Sequence, residues 1–346
     1  MYLILNVGST SIKYAIFDLN LNEQKRGQVE EFAQLIKELG SNFKPSAIGH
    51  RIVHGGNTFT EPIKVDKTTL LELEKISSLA PLHNPPALKA LKMCMDTWAQ
   101  VPQIACFDTA YYSKMPLFSR IYALPYELYQ DHGIQRFGFH GLSHQFVANE
   151  AAKQLGKSLS DLKLITCHLG GGCSITAIED GFPIDTSMGF TPMEGLVMAT
   201  RCGNVDPGII FYLQREQGLT FERVEELLNQ KSGVYGLSGI SHDPRELHAI
   251  AGRQNDPDDR EAVLQSMRCS LALQVYAYQV RKYIGAYFVA LGGLDALVFT
   301  GAAGVGAGFM RDMITNGLNE TLGDFKTLVI KTNEELTIAR EIGTLI

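Results

Sequence analysis

The stretch LITCHLGGGCSITAIEDGFPID, from Leu164 to Asp185, places three consecutive glycines between two β-forming runs. Giving up three side chains where a strand reverses costs chain entropy and contributes no packing. The turn is therefore shaped for close approach by another backbone or by a ligand. A second segment, YLILNVGSTSIKYAIFDLN from Tyr2 to Asn20, has the same strand–turn–strand form around Gly8-Ser9-Thr10-Ser11. At one constant offset Gly8 matches Gly170, and Ala15-Ile16-x-Asp18 matches Ala177-Ile178-x-Asp180. A repeat of this kind predicts two similar lobes.

Length agrees, because 346 residues exceed what one hydrophobic core usually holds. Helical periodicity is expected at Thr69–Leu79, Ala87–Trp98, His144–Leu155, Phe221–Gln230, Ala262–Ala290 and Phe309–Asn316. Strand-like runs stand at Ala47–Val53, Gln103–Asp108, Leu164–His168 and Ala296–Thr300, and the alternation points to α/β layers. The spacing of Thr332 and Glu335 predicts a capping box opening a last helix. A net charge of −6 argues against nucleic acid or an anionic membrane as the main partner. The six cysteines form no Cys-x-x-Cys pair and Met1 leads directly into a strand-like run, so free thiols in a reducing cytoplasm are expected. The most apolar long stretch, Ala262–Leu291, carries Arg268, Arg281 and Lys282, and suits a packed helix better than a membrane span. Tyr276, Tyr278, Tyr283 and Tyr287 mark it as a candidate interface between subunits.

Glycine-rich turns leave backbone N–H groups unpaired and keep side chains away from an anion. Ser9, Thr10, Ser11 and Lys13 add hydroxyls and a positive charge to the first turn, while Gly170, Gly171 and Gly172 offer bare backbone. A third cluster, LVFTGAAGVGAG, follows Ala296–Thr300, and its glycines at 301, 304, 306 and 308 suit close approach of a nucleotide. Neither the dinucleotide Gly-x-Gly-x-x-Gly pattern nor a P-loop is present. Three such turns suggest two lobes clasping a phosphate chain.

Charged residues stand where strands end. GHRIVHGG places Arg51 on a short strand, FDTAYY places Asp108 at the end of another, RFGFHGLSH puts His140 at a helix start, and TRCGNVDPG carries Arg201 in a loop. An Arg between apolar neighbours needs a partner anion. The spacings of His50 with His54 and of His140 with His144 invite a zinc reading, but neither pair carries an HExxH glutamate.

LNVGSTSIKY, HRIVHGG, APLHNPP, FDTAYY, RFGFHGLSH, CHLGGG, GFTPMEGLVMATRCGNVDPG, SGVYGLSGIS and TNEELTIAR, in this order over nearly the whole chain, resemble the acetate kinase family. The resemblance implies an α/β protein of the acetate and sugar kinase/Hsp70/actin type, with two duplicated ribonuclease H-like lobes around a nucleotide cleft, and a homodimer. It implies an N-terminal lobe of residues 1–142 plus 333–346 and a C-terminal lobe of 143–332. It further implies Mg²⁺ or Mn²⁺, ATP/ADP, acetate and acetyl phosphate as ligands. Arg51 and Arg201 would be the phosphate clamp, with Asp108 near the acyl carboxylate and His140 on the transferring group. Asn6 and Glu334 match metal-associated positions. Lys13, Ser9 and Ser11 would lie near the nucleotide phosphates. Val53, Leu82, Phe139 and Pro192 would form the acyl pocket. Nucleotide contacts would come from His168, Leu169, Gly170, Gly171 and Gly172; from Asp243, Pro244 and Arg245; and from Gly301, Ala302, Ala303, Gly304, Val305 and Gly306.

The chain also departs from that family. The stretch between Asp18 and His50 is brief, Gly171 stands where an Asn is common, and Gly-Ala-Ala-Gly-Val-Gly replaces Gly-Gly-Ile-Gly-Glu-Asn at 301–306. Propionate or another short acyl acceptor, and GTP or pyrophosphate as donor, therefore stay open. So does a non-catalytic nucleotide-binding lobe pair, which would have no use for the intact set Asn6, Arg51, Asp108, His140, Arg201 and Glu334.

Overall fold

The computed structural model describes residues 1–8, 11–253 and 256–346, so Ser9 and Thr10 lie outside the described residues. The first hairpin pairs β1 (Tyr2–Val7) with β2 (Ile12–Phe17), and β3 (Glu23–Val29) adds antiparallel to β2. On the other side of β1 lie β4 (Ala47–Ile52) and β6 (Gln103–Phe107), both parallel to it, with the two-residue β5 (Ile63–Lys64) at the edge. The second sheet repeats this plan. There β7 (Leu164–Leu169) pairs antiparallel with β8 (Cys173–Glu179), and β9 (Phe182–Thr186) follows. Parallel to β7 run β10 (Ala296–Thr300) and then β11 (Lys326–Val329). The orders β3-β2-β1-β4-β6 and β9-β8-β7-β10-β11 match strand for strand, as the sequence repeat predicts.

The central strands of each sheet are covered on both faces, which is why β1, β4, β6, β7, β8 and β10 are buried almost throughout rather than alternating, while the edge strands β3 and β11 are mostly exposed. Tyr2, Ile4, Ala15 and Phe17 face Ile338, Ala339 and Ile342 of the terminal helix Glu334–Leu345, while Leu3, Leu5, Tyr14 and Ile48 pack on the other side with Cys94. In the second sheet Ile165, Cys167, Ile175 and Phe299 meet Cys269, Leu273, Tyr276, Val280 and Ile284 of the long helix Arg260–Leu291. Leu164, Ile178, Ala296 and Val298 meet Phe146, Val147 and Ala151 of helix Gly141–Leu155.

Three expectations need correction. The terminal helix is capped by Asn333, whose side chain accepts from the Leu336 amide, not by Thr332. The glycine cluster at 301–306 is a short helix rather than an open turn, with Gly301 at φ 79° and Gly304 buried. A β-carbon on Gly301 would sit 2.5 Å from the Leu169 carbonyl oxygen, so that glycine lets the helix pack on β7. On the long helix Tyr276 and Tyr287 are core residues and Tyr283 is hydrogen-bonded to Asn204, whereas Tyr278 is exposed as expected and continues the exposed apolar residues Leu264, Met267 and Leu271. Among the described residues no helix is long and apolar enough to cross a membrane.

Candidate active site

The parallel strands of both sheets deliver polar residues at their carboxyl ends, where open α/β sheets bind ligands. Asn6 comes from the end of β1, Arg51 from β4 and Asp108 from just past β6; His168 and Leu169 end β7, and Gly301 and Ala302 follow β10. A cavity of about 550 Å³ lies among them. Its walls are Asn6, Val7, Gly8, Ser11, Lys13, Arg51, Val53, His83, His140, His168, Gly170, Gly171, Gly301, Ala302, Thr332 and Glu334.

Arg51 is held on three sides. Nε and Nη2 donate to the two carboxylate oxygens of Asp108 at 3.0 and 2.7 Å, while Nη1 donates to Asn6 Oδ1 at 3.2 Å and Glu334 Oε2 at 3.1 Å. Burial alone favours the neutral guanidine, but the carboxylates of Asp108 and Glu334 outweigh it and keep Arg51 more firmly protonated than a free arginine. Burial pushes the Glu334 carboxyl up against the opposing charge of Arg51. Asn6 Nδ2 donates to Glu334 Oε2 at 3.3 Å and to Glu335 Oε1 at 3.2 Å, and Arg26 closes the set with a 2.8 Å bond to Glu335.

Asp108 is only 1% exposed and does not line the cavity. It sits behind Arg51 with both oxygens engaged. Its carbonyl accepts from the Gly141 amide at 3.1 Å, anchoring helix Gly141–Leu155. His140 caps that helix in a left-handed conformation, φ 58°, a strained choice for a non-glycine residue. Its ring stacks on His168, centroids 4.3 Å apart. Burial first, then the neighbouring His168 and the positive charge of Arg51, hold His140 well below the usual histidine range; burial and Arg51 bring His168 down to about 4.

Arg201 differs from Arg51. Its Nη1 donates to the Pro192 carbonyl at 3.2 Å, and no carboxylate pairs with it among the described residues. A β-carbon on Gly172 would lie 3.1 Å from His140 Cε1 and 3.5 Å from Arg201 Nη1. The bare glycine thus allows the turn, the imidazole and the second guanidinium to meet. Gly171 opens to space, and the Gly170 amide is used by the Gly172 carbonyl at 3.0 Å.

Other expected residues do not reach this cavity. Leu82 is 64% exposed and Phe139 is buried, and neither they nor Pro192 stand on the cavity wall, which leaves Val53 as the one expected acyl-pocket side chain there; Leu169, Gly172 and Arg201 are likewise outside the wall. Asp243 is occupied as the cap of helix Pro244–Ala251, accepting from the Arg245 amide and pairing with the Arg245 side chain at 2.6 Å. Ala303, Gly304, Val305 and Gly306 are not on its walls, and the Gly304 and Val305 carbonyls accept from Arg311. Ser9 lies outside the described residues. Conversely, sequence reasoning missed His83 and Thr332. His83 was visible in APLHNPP, but as a residue leading into helix Asn84–Thr97. Thr332 was read as a cap, whereas its hydroxyl is buried without a partner at the cavity.

Two lobes of matching topology, with Lys13, Arg51 and the glycine turn at 170–171 converging on one cleft, define the class: phosphotransferases of the acetate and sugar kinase/Hsp70/actin fold. Comparison with known proteins narrows it. A family model described as the acetokinase family matches residues 28–323. The acetate kinase of Caldanaerobacter subterraneus is 39% identical, covering 99% of this chain and 98% of its own. That of Desulforamulus reducens is 39% identical with 100% of both covered. Among solved structures, Porphyromonas gingivalis acetate kinase aligns with TM-score 0.87 at 32% identity over 99% of each chain. A propionate kinase from Francisella tularensis aligns with TM-score 0.90 at 34% identity over 98% of each. The chain belongs to the acetokinase family.

Proposed function

We propose that the protein transfers a phosphoryl group reversibly between ATP and acetate, giving acetyl phosphate and ADP. The observation that best supports this is that Lys13, Arg51, His140, Gly170 and Gly171 line one cavity, while Arg201 Nη1 and the His140 ring both approach Gly172 beside it. In phosphoryl transfer the protein chiefly positions reactants and neutralises the equatorial oxygens. Arg51 supplies a fixed positive charge, its orientation set by Asp108. Arg201 supplies one with no carboxylate to give up. Acetate is already an anion near neutrality, so no base is required, and Asp108, sealed behind Arg51, acts as a positioning residue. Lys13 and the glycine turns receive the donor phosphates, and Val53 faces the methyl end of the acyl group.

The donor set suits a small hard cation. Asn6 Oδ1 and Glu334, which here accept from Arg51 Nη1, would be the oxygen ligands at one end of the cavity, and Mg²⁺ typically takes one or two protein oxygens with phosphates and water completing its shell. Bound there, Mg²⁺ or Mn²⁺ would neutralise phosphate charge. Residues 1–142 with 333–346 would form the acyl lobe and 143–332 the nucleotide lobe. The exposed stripe Leu264, Met267, Leu271 and Tyr278 supports a homodimer through the long helix.

A second acceptor, propionate, is favoured by the likeness to a propionate kinase, and one methylene in an apolar pocket is worth only about 1–3 kcal/mol. Acyl phosphate formation assayed with acetate, propionate and butyrate against ATP, GTP and pyrophosphate tests the whole reading. Acetate with ATP should give the highest kcat/KM, and absence of acyl phosphate in every pairing would end it.

A further inference from the structure

The mechanism above leaves unused a buried row of polar groups behind His140. His140 and His144 are one helical turn apart, so both rings project from the same face. The spacing that invited a zinc reading is used here to share one serine. Ser174 Oγ, on β8, lies 2.9 Å from His140 Nδ1 and 2.7 Å from His144 Nε2. His144 Nδ1 in turn lies 2.7 Å from Thr166 Oγ1, on β7. Thr166, His144 and Ser174 are all 0% exposed, so no solvent completes their bonding.

A hydroxyl has one proton, so Ser174 can donate to only one of the two imidazoles and must accept from the other. The tautomers of the two neutral rings are therefore linked, and the far end decides which way the row runs. Thr166 Oγ1 has two acceptors in reach, His144 Nδ1 at 2.7 Å and the Thr176 carbonyl at 3.5 Å, the outer edge of hydrogen-bond geometry. In the arrangement proposed below, Thr166 donates to the nearer one. His144 then carries its proton on Nε2 and gives it to Ser174 Oγ, Ser174 donates to His140 Nδ1, and the His140 proton is left on Nε2. That nitrogen is on the cleft side, 3.2 Å from where a Gly172 β-carbon would stand.

We propose that Thr166, His144 and Ser174 are positioning residues that fix His140 as its Nε2–H tautomer, presenting a hydrogen-bond donor to the transferring phosphoryl group. The opposite tautomer would aim a lone pair at an anion and repel it. This rests on the placement of His140 at the reacting group, and the test separates the two.

Ring-nitrogen ¹⁵N NMR of the full-length protein, free and with acetyl phosphate, reads the tautomer directly, with His140→Asn used to assign the signal. Wild type should show His140 protonated at Nε2. Thr166→Val, an isostere without the hydroxyl, should shift the population toward Nδ1–H. It should also lower kcat on the order of 10- to 100-fold, with the KM for acetate little changed. Thr166→Ser, which keeps the donor, should recover most of the loss. A wild-type spectrum with the proton on Nδ1 would overturn the proposal even if Thr166→Val fails to fold. So would Thr166→Val retaining both the tautomer and kcat. Full activity in His140→Ala would instead remove the placement of His140 on which the proposal rests.

Discussion

Asp108→Ala should destabilise the protein by about 3 kcal/mol, because it strands a buried charge. Arg51 makes four side-chain hydrogen bonds, and Asp108 accepts two of them, including the shortest at 2.7 Å. Removing one member of a buried ion pair typically costs about 3–5 kcal/mol. Glu334 and Asn6 remain on Nη1, which places the expectation at the lower end of that range. The double variant Arg51→Met/Asp108→Ala removes both charges and should recover part of the loss in stability while staying inactive. Urea unfolding followed by fluorescence suits the measurement, since the one tryptophan, Trp98, packs edge-on against Phe32 and Phe43 in the same lobe as Arg51. A loss under about 1 kcal/mol in Asp108→Ala would mean the pair behaves as an exposed one, and the reasoning about a fixed, desolvated guanidinium would fail.

Arg201→Ala should behave oppositely: unfolding close to wild type, since no carboxylate is stranded, but turnover reduced on the order of 10³-fold. Gly172→Ala forces a β-carbon against His140 and Arg201 and should lower kcat by about 10²-fold, whereas Gly171→Ala, which meets open space, should mainly raise the KM for nucleotide. Kinetic assays of the purified variants check all three. Stability should also fall on acidification. Burial lowers His50, His54 and, helped by Arg51, His168 to about 4 from an ordinary 6.5, so the unfolded chain binds more protons between those values. Their stabilisation is present above pH 6.5 and lost toward pH 4, up to roughly 2 kcal/mol each by pH 5. Unfolding curves at pH 7 and pH 5 measure it.

What could be read from the sequence was local. The paired glycine hairpins, the strand ends bearing Arg51 and Asp108, and the helix start at His140 each carry their signal within a few neighbouring residues. Long-range contacts were not legible. Glycine's low helix propensity made 301–306 look like a loop, yet packing on β7 makes it helical. Thr332 and Asn333 are both acceptable caps, and Asn333 prevails with its oxygen also tied to Arg26, on β3. Tyr276 and Tyr287 looked like an amphipathic surface because periodicity alone does not say which neighbour covers a face. The link from Thr166 to His140 crosses two strands and a helix, and no spacing reveals it.

The most direct test is a crystal structure with ADP, Mg²⁺, acetate and a planar phosphoryl mimic such as aluminium fluoride. The mimic should lie within hydrogen-bonding distance of Arg51, Arg201 and His140, with the ADP phosphates against Gly170 and Gly171. A mimic bound away from Arg51 or Arg201, or phosphates remote from that turn, would contradict the claim that both lobes close on a single transferring group.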